Sequence, residues 1–358
     1  MNKSNLSPWN TGICWSSVLI MNPTDTQPKK EDFEKAIVEF RETFGRIENE
    51  VGRVIVGMKD VVRRTVSAVF GGGHVLLEGV PGLGKTLLVK SVAQTLGLSF
   101  KRIQFTPDLM PSDVTGTQVL TEDDSGKRRF VFKPGPLFAN VVLADEINRA
   151  TPKTQSALLE AMEEKQITVL DETYKLAPPF FVLATQNPVE LEGTYPLPEA
   201  QLDRFLVKLL LEPPTSNDLK EVLSRTTGVD VPQTRSVFEE GRAVESIETM
   251  KKLVRQVVVS GPMYEVLVRM LAALTPQNQF ATEKTRRYVR FGPGPRGAQA
   301  VIMCAKVMAL LDGRINIAFD DIKAVISHAL RHRMILNFQA EADAITADAI
   351  IDEVRNAK

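Results

Sequence analysis

The stretch that decides the fold of this chain is Gly79-Val80-Pro81-Gly82-Leu83-Gly84-Lys85-Thr86. Its spacing is G-x-x-x-x-G-K-T, in which glycines let backbone N–H groups turn toward phosphate oxygens. The apolar run Val75–Glu78 precedes it and a helical pattern over Leu87–Leu96 follows, so the dipole of that helix favours an anion there. The sequence therefore predicts a phosphate-binding loop, with Lys85 on the β- and γ-phosphates of ATP and Thr86 on Mg²⁺.

Short apolar segments alternate with helical patterns around this loop. Five of them have the length and composition of strands: His74–Glu78, Phe100–Phe105, Val141–Ala144, Phe180–Thr185 and Leu206–Leu211. The alternation predicts an α/β fold with a doubly wound, parallel, five-stranded sheet that helices cover on both faces. Since ligands of such sheets bind beyond the carboxyl ends of the strands, we expect the catalytic groups there.

Two adjacent acids, Asp145 and Glu146, end the apolar strand Val141–Ala144. Burying neighbouring carboxylates is costly, so packing is a poor reason for them at that place. Asp145 is predicted to lie in the outer coordination shell of Mg²⁺, and Glu146 to be the general base that orients the attacking water. A solvated acidic turn is the alternative, but the phosphate-binding loop earlier in the chain favours the catalytic interpretation.

Three polar residues elsewhere fit the same chemistry. Asn187 follows the next apolar strand, where an amide can hold the lytic water or contact the γ-phosphate. Arg204 directly precedes the fifth strand and could neutralise charge on the γ-phosphate, or could simply pair with Asp203. Arg296 falls in the first turn of a predicted helix, where the dipole disfavours a cation by ~0.3–1 kcal/mol. An external anion such as a phosphate would offset that cost, whereas an arginine that points to solvent is the alternative.

Helical patterns flank this α/β unit on both sides. Apolar residues recur at three- and four-residue steps from Phe33 to Ile47, and a second helix extends through Ala68. Three later helices are predicted over Met263–Thr275, Pro295–Leu311 and Asp320–Leu330. We therefore predict a disordered leader over residues 1–30, an α/β core with hairpin inserts over 31–213, and a helical domain over 214–358.

The composition limits the class of protein. The chain has 358 residues, 43% hydrophobic and 25% charged, which is typical of globular domains. Lys plus Arg and Asp plus Glu both number 44, so no overall field favours nucleic acid or an anionic membrane. Cys14 and Cys304 are the only cysteines, too few for a disulfide framework or a four-cysteine zinc site within one chain. This usage suits a reducing compartment.

Targeting and membrane segments are not predicted. No apolar run reaches the ~18 residues that span a bilayer, so membrane insertion is not expected. Near the N-terminus, Ile13–Trp15 and Val18–Met21 are apolar, but Ser16 and Ser17 interrupt them and no small-residue cleavage site follows. We expect a cytoplasmic protein, in which Met21 could be the true initiator.

With these residues assembled, the chain resembles the AAA+ ATPases, and most closely the MoxR family, over about residues 35–340. Three stretches carry the resemblance: Glu78–Thr86, Ala144–Ala150, and Ala184–Pro188 running on through Gly193–Phe205. The first is generic to phosphate-binding loops, whereas the third is specific to the family. The resemblance implies that Asp145 and Glu146 form the Walker B pair and that Asn187 is sensor 1.

The resemblance also implies an assembly. Arg204 resembles the arginine finger that acts on the neighbouring subunit's ATP, and Arg296 resembles sensor 2, carried by the C-terminal lid of the same subunit. Such an arrangement implies a homo-oligomeric ring, commonly a hexamer. Val56 and Gly57 lie in the loop near the adenine, followed by Met58 where the family usually has Gln. Base contact is therefore expected through backbone and apolar packing.

Two hairpins are expected from the same resemblance, because MoxR-like proteins belong to a clade with an insert in the second core helix. Thr117–Leu120 and Arg129–Phe132 are predicted to pair around Glu122–Gly126, and Glu163–Leu176 resembles the hairpin before sensor 1. In related machines such hairpins line the pore or engage the client. Surface decoration is the alternative.

The predicted function is that of a chaperone-like ATPase that remodels clients, with a partner that bears a von Willebrand factor A domain. The motor subunit of a metal chelatase is the first alternative. A nucleic-acid motor is a second, suggested by the basic runs Lys127–Arg129 and Arg286–Arg287, but the neutral net charge argues against nucleic acid as a partner. The paired acids and the helical C-terminal region disfavour a small-molecule kinase.

Overall fold

The computed structural model describes residues 30–122, 128–170, 172–188, 194–228 and 232–357. The leader predicted for residues 1–30 falls outside this part except for its last residue, and so does most of the turn predicted between Glu122 and Gly126. Among the helices of the described residues, none is long and apolar enough to cross a lipid bilayer.

The described elements follow the predicted alternation. The helices are α1 Lys30–Gly52, α2 Lys59–Gly71, α3 Lys85–Thr95, α4 Pro111–Thr115, α5 Pro152–Glu164, α6 Glu199–Leu202, α7 Ser216–Thr226, α8 Ala243–Gln256, α9 Gly261–Ala273, α10 Glu283–Tyr288, α11 Pro295–Leu311, α12 Phe319–Leu330, α13 Phe338–Ala342 and α14 Ala347–Asn356. The strands are β1 His74–Glu78, β2 Phe100–Gln104, β3 Gly116–Glu122, β4 Arg128–Pro134, β5 Val141–Asp145, β6 Gln166–Val169, β7 Glu172–Lys175, β8 Phe181–Gln186, β9 Phe205–Leu210, β10 Val289–Phe291 and β11 Ile335–Leu336.

A parallel sheet of five strands in the order β2-β5-β8-β1-β9 forms the centre of the fold, which confirms the predicted α/β class. Side chains of β1 alternate between its two faces, as strand geometry requires. Val75 and Leu77 join a buried cluster with α1, α2 and α3, whereas Leu76 joins a second cluster with α4 and α5. Helices on both faces therefore bury the sheet.

The C-terminal helices are not packed apart from the core. The buried cluster around Phe40, Phe44 and Phe70 of α1 and α2 continues into α8, α11 and α12. Helices on both sides of the boundary predicted at 213/214 thus contribute to one apolar core. That boundary stays a prediction. The small β10–β11 pair was not predicted, because strands of two and three residues leave no periodic signal.

Both predicted hairpins are present, and aromatic rings join them. Strand β3 pairs antiparallel with β4, and β6 with β7. The ring of Phe132 on β4 stacks on Tyr174 of β7 with centroids 4.0 Å apart, and Phe138 meets both rings edge-on. Farther out on β3–β4, Phe130 is 70% exposed. The hairpins therefore share an aromatic base, while the outer part of β3–β4 presents an apolar surface to solvent.

All three histidines of the chain are buried, namely His74, His328 and His332. Burial lowers the pKa of His74 to about 4, and the pKa values of His328 and His332 fall well below 6.5 for the same reason. The Nδ1 of His74 accepts a hydrogen bond from the Val182 amide at 3.0 Å, while its Nε2 faces the Met162 carbonyl at 3.2 Å. These contacts suit a neutral imidazole that carries its proton on Nε2.

We expect the free energy of unfolding to decrease as the pH falls below about 6.5. The unfolded chain then protonates its histidines and the folded chain does not, so stability present above pH 6.5 is lost on acidification. At pH 5.5 the loss is about 1 kcal/mol per histidine, or a few kcal/mol for all three. Urea unfolding at pH 7.5 and 5.5 measures it, and His74→Gln should remove about one third of this histidine contribution. A pH dependence unchanged in that variant would contradict the assignment.

Candidate functional site

The predicted phosphate-binding loop joins β1 to α3. Gly82 and Gly84 have φ values of +84° and +77°, a left-handed conformation that favours glycine. The side chain of Lys85 is buried, and its Nζ donates to the Gly79 carbonyl at 2.8 Å. Burial lowers the pKa of Lys85, while the nearby charges of Asp145 and Glu146 act in the opposite direction. The loop therefore holds an ammonium group directed inward, among backbone turns that can accommodate phosphate oxygens.

Asp145 is the last residue of β5 and is 7% exposed. Its Oδ1 accepts a hydrogen bond from the Thr185 hydroxyl at 2.6 Å, and its Oδ2 accepts two from Arg102, at 2.7 and 3.1 Å. A hydroxyl and a guanidinium thus fix both carboxylate oxygens. The carboxylate is therefore held in one orientation at the carboxyl edge of the sheet, close to the phosphate-binding loop.

Glu146 has left-handed backbone angles, φ 55° and ψ 49°, which are costly for a residue with a side chain. Its amide donates to the Thr185 hydroxyl at 2.8 Å, which holds the turn. Its carboxylate Oε2 accepts from Gln104 at 2.8 Å and from Arg149 at 3.1 Å. Backbone strain of this kind concentrates at functional sites, so the conformation supports a role for this acid beyond packing.

Adjacent strands bring the predicted catalytic groups together. Asn187, 5% exposed, follows β8, while Asp145 ends β5, Glu146 follows it, and the phosphate loop follows β1. The three strands are neighbours in the sheet. The loop, Asp145, Glu146 and Asn187 therefore meet at the carboxyl edge of the sheet, where the sequence placed them.

A cavity of about 420 Å³ lies at the carboxyl end of β9, and it is lined by the loop that contains Val56, Gly57 and Met58. The segment after β9 also lines it, and Leu211 of that segment lies against Gly79, where a Cβ atom would approach within 2.8 Å. The cavity thus adjoins the phosphate-binding loop. Its volume falls within the range of small-ligand pockets, and its wall combines apolar side chains with charged ones, among them Arg64, Asp218 and Arg331.

Arg204 and Arg296 lie together, but not at the phosphate-binding loop of their own chain. Arg204 precedes β9, whose first residue pairs with His74 at the amino end of β1. Arg296, in the first turn of α11, contacts Glu163 at 2.5 Å and lies 3.9 Å from Asp203. A five-residue strand, about 13 Å long, separates this edge from the loop. The structure therefore corrects the expectation for Arg296, because it places this residue away from the nucleotide loop of its own subunit.

The backbone around Arg204 is held by a buried residue that was not predicted from the sequence, Arg333. It donates to the Asp203 carboxylate at 2.7 Å and to the carbonyls of Asp203, Phe205 and Leu206 at 2.7–3.1 Å. His332 adds a contact to the Phe205 carbonyl at 2.9 Å. Burial lowers the pKa of Arg333, and the charge of Asp203 partly compensates. Arg333 and His332 of the C-terminal region therefore hold the backbone on both sides of Arg204 through these polar contacts.

Two other residues at the site were not predicted, Arg102 and Gln104. They alternate along the edge strand β2, so both project from the same face, and Gln104 lies opposite Asp145 in the register. Polar side chains at positions i and i+2 on an otherwise strand-like segment were the available signal. That signal is ambiguous, because exposed edge strands commonly carry such residues.

The basic runs that suggested a nucleic-acid motor are largely engaged within the chain. Arg287 pairs with Asp343 at 3.1 Å, Arg286 donates to the Gln279 carbonyl at 3.0 Å, and Arg128 pairs with Glu122 at 3.3 Å. Lys127 lies outside the described residues. These contacts favour the interpretation of both runs as surface charge.

Two family profiles match the chain. The profile described as "ATPase family associated with various cellular activities (AAA)" matches residues 74–207, and the "AAA lid domain" matches residues 282–354. The first range holds the phosphate loop, Asp145, Glu146, Asn187 and Arg204. The second holds Arg296 and Arg333.

Several known proteins are similar over most of their length. Protein YeaC of Bacillus subtilis is 44% identical, over 87% of this chain and 93% of its own. Chaperone MoxR1 of Mycobacterium tuberculosis is 40% identical, over 85% and 79%, and Protein MoxR of Methylorubrum extorquens is 32% identical, over 84% and 90%. A crystal structure from Cytophaga hutchinsonii, described as a candidate ATPase, superposes with a TM-score of 0.83 at 40% identity, covering 92% of this chain and 98% of that one.

Proposed function

The chain belongs to the MoxR family of AAA+ ATPases, and from this premise we propose that it acts as a homo-oligomeric ring that remodels or matures client proteins. It is an ATPase of this family. Hydrolysis at each subunit interface would drive the conformational change, in a chaperone-like role. We propose a hexamer as the working ring.

One observation carries the proposal: the phosphate-binding loop and the arginine pair lie at opposite ends of β1. Lys85 is at the carboxyl edge of the sheet, whereas Arg204 and Arg296 are at the amino edge. No single chain can close such a site around one nucleotide without a large rearrangement. A neighbouring copy in a closed ring supplies the missing edge, because every subunit then meets the same two surfaces.

Within this ring, each chain contributes two half-sites. The cavity beside Val56 and Gly57 would hold the nucleobase, and residues 79–86 would cradle the phosphates with Lys85 on the β- and γ-phosphates. Glu146 would take a proton from the attacking water, and Asn187 would orient that water. Arg204 and Arg296 of the next subunit would stabilise the charge on the γ-phosphate.

The residues present fit a magnesium ion bound with the nucleotide. Mg²⁺ prefers oxygen ligands and keeps several waters, so one hydroxyl, one carboxylate and the phosphates suffice. Thr86 follows Lys85 in the first turn of α3, and Asp145 is held at the adjacent strand end by Thr185 and Arg102. We assign Thr86 as the direct ligand and Asp145 to the outer shell. The ion would neutralise charge on the β- and γ-phosphates.

We also propose a partner protein that bears a von Willebrand factor A domain, as the family resemblance implies. The apolar outer part of β3–β4, with Phe130 and Leu120 exposed side by side in the register, is the surface we assign to the client. Because the two hairpins share an aromatic base, a conformational change in the core would move both hairpins together.

The test is purification of the Glu146→Gln chain with ATP from its native host. A variant that binds ATP without hydrolysing it should accumulate as an assembly about six times the 39.7 kDa chain, with the von Willebrand factor A domain protein bound. Lys85→Ala, which loses the phosphate contact, is the control and should not retain the partner protein. A nucleotide-loaded Glu146→Gln chain that remains monomeric at micromolar concentration would refute the ring.

A further inference from the structure

Arg204 and Arg296 share one carboxylate, that of Glu163 near the C-terminal end of α5. The Oε1 of Glu163 accepts a hydrogen bond from Arg296 Nη2 at 2.5 Å, and its Oε2 lies 3.6 Å from Arg204 Nε. Asp203 is farther, at 3.9 Å from Arg296, and its other oxygen is engaged by Arg333. Among the residues that the structure describes, Glu163 alone pairs with both arginines.

This arrangement engages part of the donors that the two guanidinium groups could offer to a phosphate. Arg204 Nη1 donates to the Leu159 carbonyl, its Nε faces Glu163, and Arg296 gives its Nη2 to the same carboxylate. Carboxylate and phosphate offer guanidinium groups the same kind of charged acceptor. The side chains of Arg204, Arg296 and Glu163 are 31%, 45% and 36% exposed, so an incoming phosphate can reach them.

We propose that Glu163 is the internal counter-ion that the neighbouring subunit's γ-phosphate displaces from Arg204 and Arg296, an inference that rests on the proposed function. Glu163 neutralises two guanidinium groups that would otherwise repel each other, and keeps them together when no nucleotide faces them. Displacing it costs part of the energy that the phosphate contact supplies. Glu163 is thus a positioning residue that affects the KM of the ring for ATP.

The charge of Glu163, rather than its size, carries this role. Glu163→Gln keeps the shape but binds guanidinium less strongly, so the γ-phosphate meets less competition. We expect the KM for ATP to fall about three- to tenfold, as two exposed ion pairs are removed, with kcat within about twofold of wild type. The difference should shrink as the salt concentration rises from about 0.05 to 0.5 M, because salt screens exposed pairs.

Steady-state ATPase assays of the full chain test the proposal, with two matched variants. Glu163→Asp retains the charge and should restore a KM near that of wild type. Glu164→Gln removes a charge from the next residue, which forms no ion pair within the described residues, and should leave the KM unchanged. The same KM in Glu163→Gln and wild type, a higher one, or a decrease that is equal in Glu164→Gln or insensitive to salt, would overturn the proposal.

The failure of this inference is distinguishable from failure of the proposed function. If Arg204→Ala hydrolyses ATP as fast as wild type, the arginine pair has no role and the proposed interface is wrong. If Arg204→Ala is impaired while Glu163→Gln keeps the wild-type KM, the interface stands and only the role of Glu163 is refuted. Thermal unfolding of each variant ensures that folded chains are compared.

Discussion

Replacing Glu146 by Gln is expected to slow ATP hydrolysis by about 10²–10⁴-fold while ATP still binds. The amide has nearly the shape of the carboxylate but cannot accept a proton from the attacking water. Lys85, Thr86 and Asp145 are unchanged, so the contacts to the phosphates remain. The new amide can also keep a hydrogen bond with Gln104, which contacts Glu146 at 2.8 Å in the native chain.

Phosphate release measures the hydrolysis rate, and titration with a fluorescent ATP analogue measures binding. Glu164→Gln removes one carboxylate at a site remote from the phosphate loop and should retain wild-type turnover. Turnover within about tenfold of wild type in folded Glu146→Gln chain would contradict the assignment of the general base. Loss of nucleotide binding would instead assign Glu146 a structural role at its strained turn.

The carboxyl edge of the sheet could be predicted because its signals are local. The glycine spacing of residues 79–86 encodes a backbone shape, and the run Val141–Ala144 followed by two acids encodes a buried strand with a polar end. Parallel strands then force these ends to one edge. Each predicted strand of the central sheet matches its observed counterpart within one residue at both ends.

The contacts of the acids could not be predicted, because they depend on register between strands. Arg102 and Gln104 reach Asp145 and Glu146 only because β2 pairs with β5 in one alignment. A shift of one residue would turn both side chains to the other face of the sheet. Nothing in the sequence around residues 100–104 states that alignment.

The place of Arg296 was mispredicted for a related reason. Its helix start, at a proline, was correctly identified, but a helix start does not say which edge of the sheet the helix faces. Two features decide which edge α11 faces. One is the packing of α11 against α1 and α2 in one apolar core, and the other is the set of hydrogen bonds from Arg333 to residues 203–206. Both features join segments more than a hundred residues apart.

Because both arginines lie at the amino edge, an experiment that mixes variant subunits has a clear expected result. Arg204→Ala is expected to lower kcat by about 10³-fold or more, because the charge on the γ-phosphate loses its guanidinium partner. Its phosphate loop is intact, whereas a Lys85→Ala subunit lacks the loop lysine but keeps its arginines. When the two are co-assembled in equal amounts, about one quarter of the interfaces combine an intact loop with an intact arginine, so activity should recover toward that fraction.

Mixing of subunits also distinguishes two roles of Arg296, which could act on the ATP of the neighbouring subunit or on that of its own chain. If both arginines act on the neighbour, Arg296→Ala is rescued by Lys85→Ala, but Arg204→Ala and Arg296→Ala cannot rescue each other. Every interface in that mixture lacks one arginine. If Arg296 served its own chain, an Arg204→Ala subunit beside an Arg296→Ala subunit would regain a complete site and activity would return. The contacts of Arg296 with Glu163 and Asp203 favour the first outcome, and recovery in that third mixture would refute it.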